Sequence, residues 1–303
     1  MTSEGYWIIS PQFYRKLFTK RGWTAVLQDI APHRLYNEYD PDAVPAPEDP
    51  VLICSGTAIY AGGEGEKLIF PRVKDVKELP LTYAFRVDDT KYFLALPDDD
   101  GAPEDALGLN GFAFQNLRGF QTSVANLYGF IAHTAVHLAM WYRDSHFCGR
   151  CGAATVHSEK ERAMQCPICG KTFYPRIMPA VIVGVTNGDQ LLVTKYAQGF
   201  KYYALIAGFT EIGETLEQTV AREVMEEVGL KVKNIRYYKS QPWGIANDIL
   251  VGYYCEVDGS TEIHMDRNEL KVAEWRSRSE IELQPGQYSM TNEMMRMFRD
   301  GLV

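Results

Sequence analysis

The sequence predicts an α+β protein, and three observations predict it. Residues 1 to about 110 alternate short apolar runs with breaks rich in Gly, Pro and Asp; one proline-free apolar stretch, Phe120 to Arg143, has helical length; and beyond Pro179 further strand-like runs surround a single amphipathic helix, Leu216 to Val228. Such a mixed order suits a helix lying against a small mixed sheet. With 303 residues, 46% hydrophobic and 23% charged, the chain has room for two domains and a small module. A formal charge of −8 argues against a broad nucleic-acid footprint, although local basic contacts stay open.

In chain order, Val51 to Cys54, Lys67 to Phe70 and Tyr92 to Leu96 read as strand-like runs, separated by breaks such as Ala61 to Gly65 and Pro97 to Pro103. They make residues 1–144 a mostly β domain that ends in the long helix Phe120 to Arg143. His133 and His137 lie four apart on that helix, as metal ligands could, but no acidic partner accompanies them at metal-site spacing; they read as packing residues. The first residues, MTSEGYWIISPQFYRK, lack a basic region followed by an apolar one, and no stretch has the length to span a membrane. A cytoplasmic, reducing setting is expected.

Residues 145–174 carry Cys148-Gly-Arg-Cys151, fourteen intervening residues, and Cys166-Pro-Ile-Cys169. Two CxxC knuckles at this separation are the sequence form of a tetrahedral four-thiolate zinc site, structural because no ligand position stays open. A pair of disulfides, or a redox CxxC, is the competing reading, and the reducing setting weighs against it. Cys54 and Cys255 stand in apolar runs and read as inert core thiols.

Residues 175–303 form the third unit. Pro179 to Thr186 and Gln190 to Tyr196 read as a hairpin turning at Asn187-Gly188, and Tyr203 to Ile206 as a short strand entering a loop at Gly208. Leu216, Val220, Val224 and Val228 give the following helix an inward face, with Gly229 to close it. Glu223, Glu226 and Glu227 fall at i, i+3 and i+4, which puts three carboxylates on one helical face. Their repulsion calls for a divalent cation, and oxygen ligands suit Mg²⁺ or Mn²⁺. A merely solvated acidic face would explain neither bracketing glycine. Asn234 to Gln241, Ile249 to Val257 and Val272 to Arg276 complete the strands, and Asn292 to Arg299 is a closing helix.

Gly208 to Leu230, GFTEIGETLEQTVAREVMEEVGL, resembles the Nudix box position for position: Gly, five residues, Glu, seven residues, Arg-Glu-apolar-x-Glu-Glu-x-Gly-apolar. A zinc ribbon before such a box and Ser240-Gln241-Pro242-Trp243 after it resemble, over roughly residues 112–303, the NADH pyrophosphatase (NAD⁺ diphosphatase) branch. The resemblance implies a Nudix fold, a mixed sheet between helices, and a metal-dependent hydrolase that splits the pyrophosphate bond of NAD(H) into nicotinamide mononucleotide and AMP. Glu223, Glu226 and Glu227 would be the catalytic metal ligands, with Glu269 as a further one outside the box. Tyr174 and Phe209 would stack on a substrate base, and Trp243 would belong to a dimer-related wall, which implies a homodimer.

Removal of NAD caps from RNA 5′ ends, or hydrolysis of another nucleoside diphosphate derivative such as ADP-ribose, is the alternative. A non-catalytic sensor would be expected to lose box glutamates, and all are present. Arg222, on a different side of the helix from Glu223, reads as a scaffold residue pairing with Glu214 or a neighbouring carboxylate. One departure stands out: Gly244-Ile245-Ala246-Asn247-Asp248 replaces the Pro-Phe-Pro that usually follows the tryptophan, which puts substrate preference in question.

Overall fold

A computed structural model describes residues 26–63, 66–76, 79–96, 108–120, 122–286 and 288–303. The initial segment and the break at 97–103 lie outside them. The N-terminal sheet contains β1 (Leu35–Tyr36), β2 (Val51–Ser55), β3 (Ala58–Ala61), β4 (Leu81–Val87), β5 (Thr90–Ala95) and β6 (Ala113–Asn116), in the order β1-β4-β5-β2-β3-β6. Lys67 to Phe70 does not make a strand; Ile69 forms a single bridge to Gly62.

The long helix is shorter at its start than its apolar sequence suggests. A four-residue helix α1 (Leu117–Phe120) comes first, Ser123 and Val124 turn back onto the Phe120 carbonyl, and α2 runs Asn126–Asp144. The turn decouples Phe120 from the helix without removing it from the core. α2 packs Ile131, Ala135 and Leu138 against Leu52, Ile59, Phe85 and Leu94 of the sheet.

The ribbon holds three two-residue strands, β7 (Val156–His157), β8 (Met164–Gln165) and β9 (Thr172–Phe173). The third unit is a mixed sheet of β10 (Met178–Asn187), β11 (Gln190–Tyr196), β12 (Ile206–Phe209), β13 (Val232–Trp243), β14 (Asp248–Val257) and β15 (Leu270–Ser277). Its order is β13-β14-β10-β11-β15, with β12 also on β10 and β10 parallel to β14. The period of two along β10 serves both faces. Val181, Val183 and Val185 meet Val220, Val224 and Val228 of α3 (Leu216–Val228), while Ile182 meets Met290, Met294 and Phe298 on the other side, from α4 (Met290–Arg299). A mixed sheet between helices follows.

Two details differ from expectation. The hairpin loop is Gly188-Asp189, one residue later than Asn187-Gly188, because Asn187 stays paired with Gln190 and Gly188 takes φ 58°. The short strand is Ile206–Phe209 rather than Tyr203 to Ile206: Ala204 only bridges Thr194, and the pairing that builds β12 runs from Ile206 on Val183 to Phe209 on Ala180. Gly208 is therefore a strand residue, not a loop.

The three units interlock. Tyr288, just before α4, is buried in the N-terminal core against Gly129 of α2, and Gln28 donates to the Ser240 carbonyl at 2.6 Å. Arg162 of the ribbon donates to the Ala84 carbonyl at 2.6 Å. Among the described residues no helix is long and apolar enough to cross a membrane.

Candidate metal and substrate site

Local signals at both ends fix α3. Thr215 Oγ1 accepts from the Gln218 amide at 3.2 Å while Gln218 Oε1 accepts from the Thr215 amide at 2.8 Å, a reciprocal cap. At the other end Gly229 adopts φ 70°, which only glycine adopts cheaply, and a Cβ there would lie 2.9 Å from His264 Cβ. Between the caps, the valine face sits on the sheet and the glutamate face turns to β12 and the β14–β15 loop.

Glu223 lies against β12: a Cβ on Gly208 would fall 2.0 Å from its carboxyl carbon, so glycine is what lets helix and strand approach. Arg222 organises the carboxylates. Its Nε and Nη2 grip Glu214 at 2.6 and 2.9 Å, its Nη1 donates to Glu223 at 2.7 Å and Glu226 at 3.0 Å, and Nη2 also donates to the Phe209 carbonyl at 2.9 Å. The pairing with Glu214 agrees with the sequence reading, whereas the bond to Glu223 corrects it: the guanidinium at the end of a long side chain reaches Glu214, Glu223 and Glu226 at once. Hydrogen bonding from Arg222 holds Glu214 down to about 2.

Glu227 differs from its neighbours. It is 2% exposed, and its Oε2 has no hydrogen-bond partner among the described residues. Burial, then the charges of Glu223 and Glu269, push its carboxyl up to about 8, against the Ala207 amide, which favours the ionised form. Burial also raises Glu223, with Arg222 opposing and Glu226 and Glu269 adding. Glu269 thus joins Glu223 and Glu227, its backbone carbonyl pinned by the Ala197 amide at 2.7 Å. Burial and the same three glutamates push the Tyr196 phenol up to about 12, which places Tyr196 at the cluster, a residue that no pattern in the sequence marks. Crowded carboxylates with an orphaned oxygen suit a hard divalent cation held by a few carboxylates plus water. They do not form a closed cage. Among the described residues only the four cysteines form a group of three or more whose ligand atoms all lie within 4.8 Å of one another.

The sulfurs do fit zinc. Cys148 and Cys169 Sγ are 3.6 Å apart, Cys151 and Cys166 Sγ 3.5 Å. A tetrahedron with ligands at about 2.3 Å has edges of about 3.8 Å. Gly152 and Gly170, at φ 77° and 70°, turn each knuckle back so that their amides bond the Cys148 and Cys166 carbonyls. Cys54 and Cys255 are buried, and burial pushes both up to about 12, as inert thiols should be.

Tyr174 and Phe209 are both about half exposed (59% and 49%), and among the described residues neither ring touches another aromatic ring. Tyr174 donates to Glu161 of the ribbon at 2.9 Å. Trp243 lies over His133, ring centroids 4.9 Å apart, and shares a cavity of about 260 Å³ with Tyr196, Phe200 and Arg118. His133 is buried, and His137 Nε2 bonds the Arg176 carbonyl at 2.8 Å.

Residues 176–296 match the NUDIX domain family, and residues 143–174 the NADH pyrophosphatase zinc ribbon domain. Among relatives, the NAD-capped RNA hydrolase NudC of Citrobacter koseri is 43% identical over 158 residues, 51% of this chain and 60% of that protein. NAD-capped RNA hydrolase NudC of Salmonella heidelberg is 42% identical over 156 residues, with the same shares. The chain thus spans about 60% of the length of these relatives. A NUDIX hydrolase from Nitrosomonas europaea overlays with a TM-score of 0.45 at 21% identity, covering 52% of this chain and 92% of that one.

Proposed function

Because the chain carries a Nudix domain directly behind an NADH pyrophosphatase zinc ribbon, we propose that it hydrolyses the pyrophosphate bond of NAD(H), yielding nicotinamide mononucleotide and AMP. The observation that carries the reading is the buried, unpartnered Oε2 of Glu227, whose carboxyl feels the charges of Glu223 and Glu269. When bound there, Mg²⁺ or Mn²⁺ would neutralise phosphate charge and acidify water. The chain's own residues do the rest. Glu223, Glu226, Glu227 and Glu269 are the ligands in this reading, and Arg222 holds Glu223 and Glu226 in place. One of the box glutamates takes the proton of the attacking water, worth about 10²- to 10⁴-fold. Tyr174 and Phe209 stack on a substrate base, and Trp243 closes the wall beside Tyr196. The exposure of both stacking rings suits a homodimer in which a second protomer completes the pocket.

Removal of NAD caps from RNA is the second reading, favoured by the names of the relatives. One panel separates them: NADH, NAD⁺, ADP-ribose, diadenosine polyphosphates and NAD-capped RNA, each with Mg²⁺ or Mn²⁺ and product separation. Nicotinamide mononucleotide from NADH is expected, and Glu227→Gln should lower kcat by orders of magnitude while leaving the fold intact. Near-normal turnover of Glu227→Gln at saturating cation would remove Glu227 from the reaction. No cleavage of any substrate would favour a sensor.

A further inference from the structure

A second cavity, about 320 Å³, lies where the three units meet. α2 supplies Phe130, His133 and Trp141, the ribbon Arg162, and the Nudix domain Gly244 and Asp248. None of the box glutamates, Glu269, Tyr174 or Phe209 lines it. Most of its wall is apolar, from residues such as Leu27, Ile177 and Ile249.

Three of its lining side chains are at least nine-tenths buried and carry polar atoms with no hydrogen-bond partner among the described residues. They are both ring nitrogens of His133 (2% exposed), Nε1 of Trp141 (4%) and Oδ1 of Asp248 (4%). Buried polar atoms are nearly always paired, so three unpaired groups around one cavity point to a partner inside it. Their types define that partner. Trp141 can only donate; a neutral imidazole offers one donor and one acceptor; Asp248 offers acceptor oxygens, and Arg162, whose Nη2 is already bonded to Ala84, adds positive charge to the rim. A bare anion would meet Asp248, and an acyl chain would leave every polar atom unpaired. A flat heterocycle with an amide or amino group satisfies both the apolar faces and the mixed rim. The volume holds a base, or a base with its ribose, at the lower end of the range for small-molecule pockets.

We propose that this junction cavity binds a neutral nitrogen heterocycle bearing a carboxamide or amino group, of nicotinamide or adenine type, at a site separate from the carboxylate cluster. Asp248 accepts from the exocyclic N–H, and Trp141 and His133 donate to the carbonyl or ring nitrogen. The proposal rests on the cavity alone and does not depend on the pyrophosphatase reading.

Calorimetric titration of nicotinamide, and separately adenosine, into the full zinc-loaded chain tests it, the two arms identifying the heterocycle. Binding by one of them at millimolar concentration or tighter is expected, weakened about tenfold by Trp141→Phe or Asp248→Ala, one hydrogen bond's worth, and unchanged by Ile212→Ala, an exposed side chain outside the cavity. Should either cavity variant fail to fold, a ligand-to-indole contact at Trp141, read by NMR on the unaltered chain, decides instead. Absence of binding by both ligands, equal weakening by Ile212→Ala, or no contact with the Trp141 indole overturns the proposal.

Discussion

Asp248 offers the sharpest pH dependence at the scale of a single residue. Burial pushes its carboxyl from 3.8 up to about 7. A carboxyl raised in the folded state holds its proton more tightly there, so its contribution is fully present below about pH 4 and is lost as pH rises towards 7. The loss is at most about 4 kcal/mol, at about 1.4 kcal/mol per unit. Asp248→Asn, neutral throughout, should therefore raise Tm over the parent at pH 8 and converge with it near pH 4; a difference equal at both pH values would show that the carboxyl does not titrate on unfolding. Phe209→Ala belongs to the same scale. If the ring stacks equally on ground and transition states, its removal should raise KM for NADH about 5- to 150-fold, for about 1 to 3 kcal/mol of stacking, and spare kcat. A collapsed kcat at constant KM would instead make Phe209 a support of the metal loop, through the carbonyl that Arg222 holds. The glutamates and cysteines were legible in sequence because their chemistry demands fixed local spacing. Tyr196 and Asp248 were not, because what makes them notable is burial and charge brought from distant parts of the chain.

Element boundaries followed the same division. α3 was readable to the residue, since its four-residue apolar period and its capping glycine are local signals. α2 was overextended because the Phe120 to Val124 turn keeps apolar residues in the core and so leaves the periodicity undisturbed. β12 was displaced because its limits are set by pairing to β10, which no window of sequence contains. Two glycines of the box separate stability from chemistry. Gly229→Ala puts a Cβ at φ 70° and 2.9 Å from His264 Cβ, so a loss of about 1 to 3 kcal/mol in chemical denaturation is expected. Gly208 has no positive φ, but a Cβ there falls on the Glu223 carboxyl. Gly208→Ala should displace that side chain and depress kcat far more than it lowers Tm. Equal losses of Tm and kcat in both variants would mean that the glycines act only through the fold.

At the scale of the whole molecule, the ribbon is a brace between two larger units. It reaches the N-terminal sheet through Arg162 on Ala84, and Ser158 accepts from Tyr39 at 2.9 Å; just after its last strand, Arg176 is tied to α2 by His137. The N-terminal and Nudix units also share Tyr288 and the Gln28–Ser240 bond, so no boundary here is a free linker. The sequence reads the long helix as coupling the N-terminal domain to the ribbon, but the side chains that make the contacts are illegible there, where the knuckles name their metal but not what they lean on. Removing one ligand should consequently be felt well beyond the ribbon. Because the free energy of binding a structural zinc is largely folding free energy, Cys148→Ser should abolish the zinc content, about one ion per chain by elemental analysis of the parent, and lower Tm. The folded fraction should keep its kcat, since no ribbon sulfur lies among the glutamates that the proposed reaction uses. Calorimetry should show the N-terminal and Nudix units destabilised together rather than the ribbon melting alone. A variant that loses zinc at unchanged Tm would mean that the brace is held by its hydrogen bonds, and a parent purified with disulfides in place of zinc would replace the thiolate site altogether.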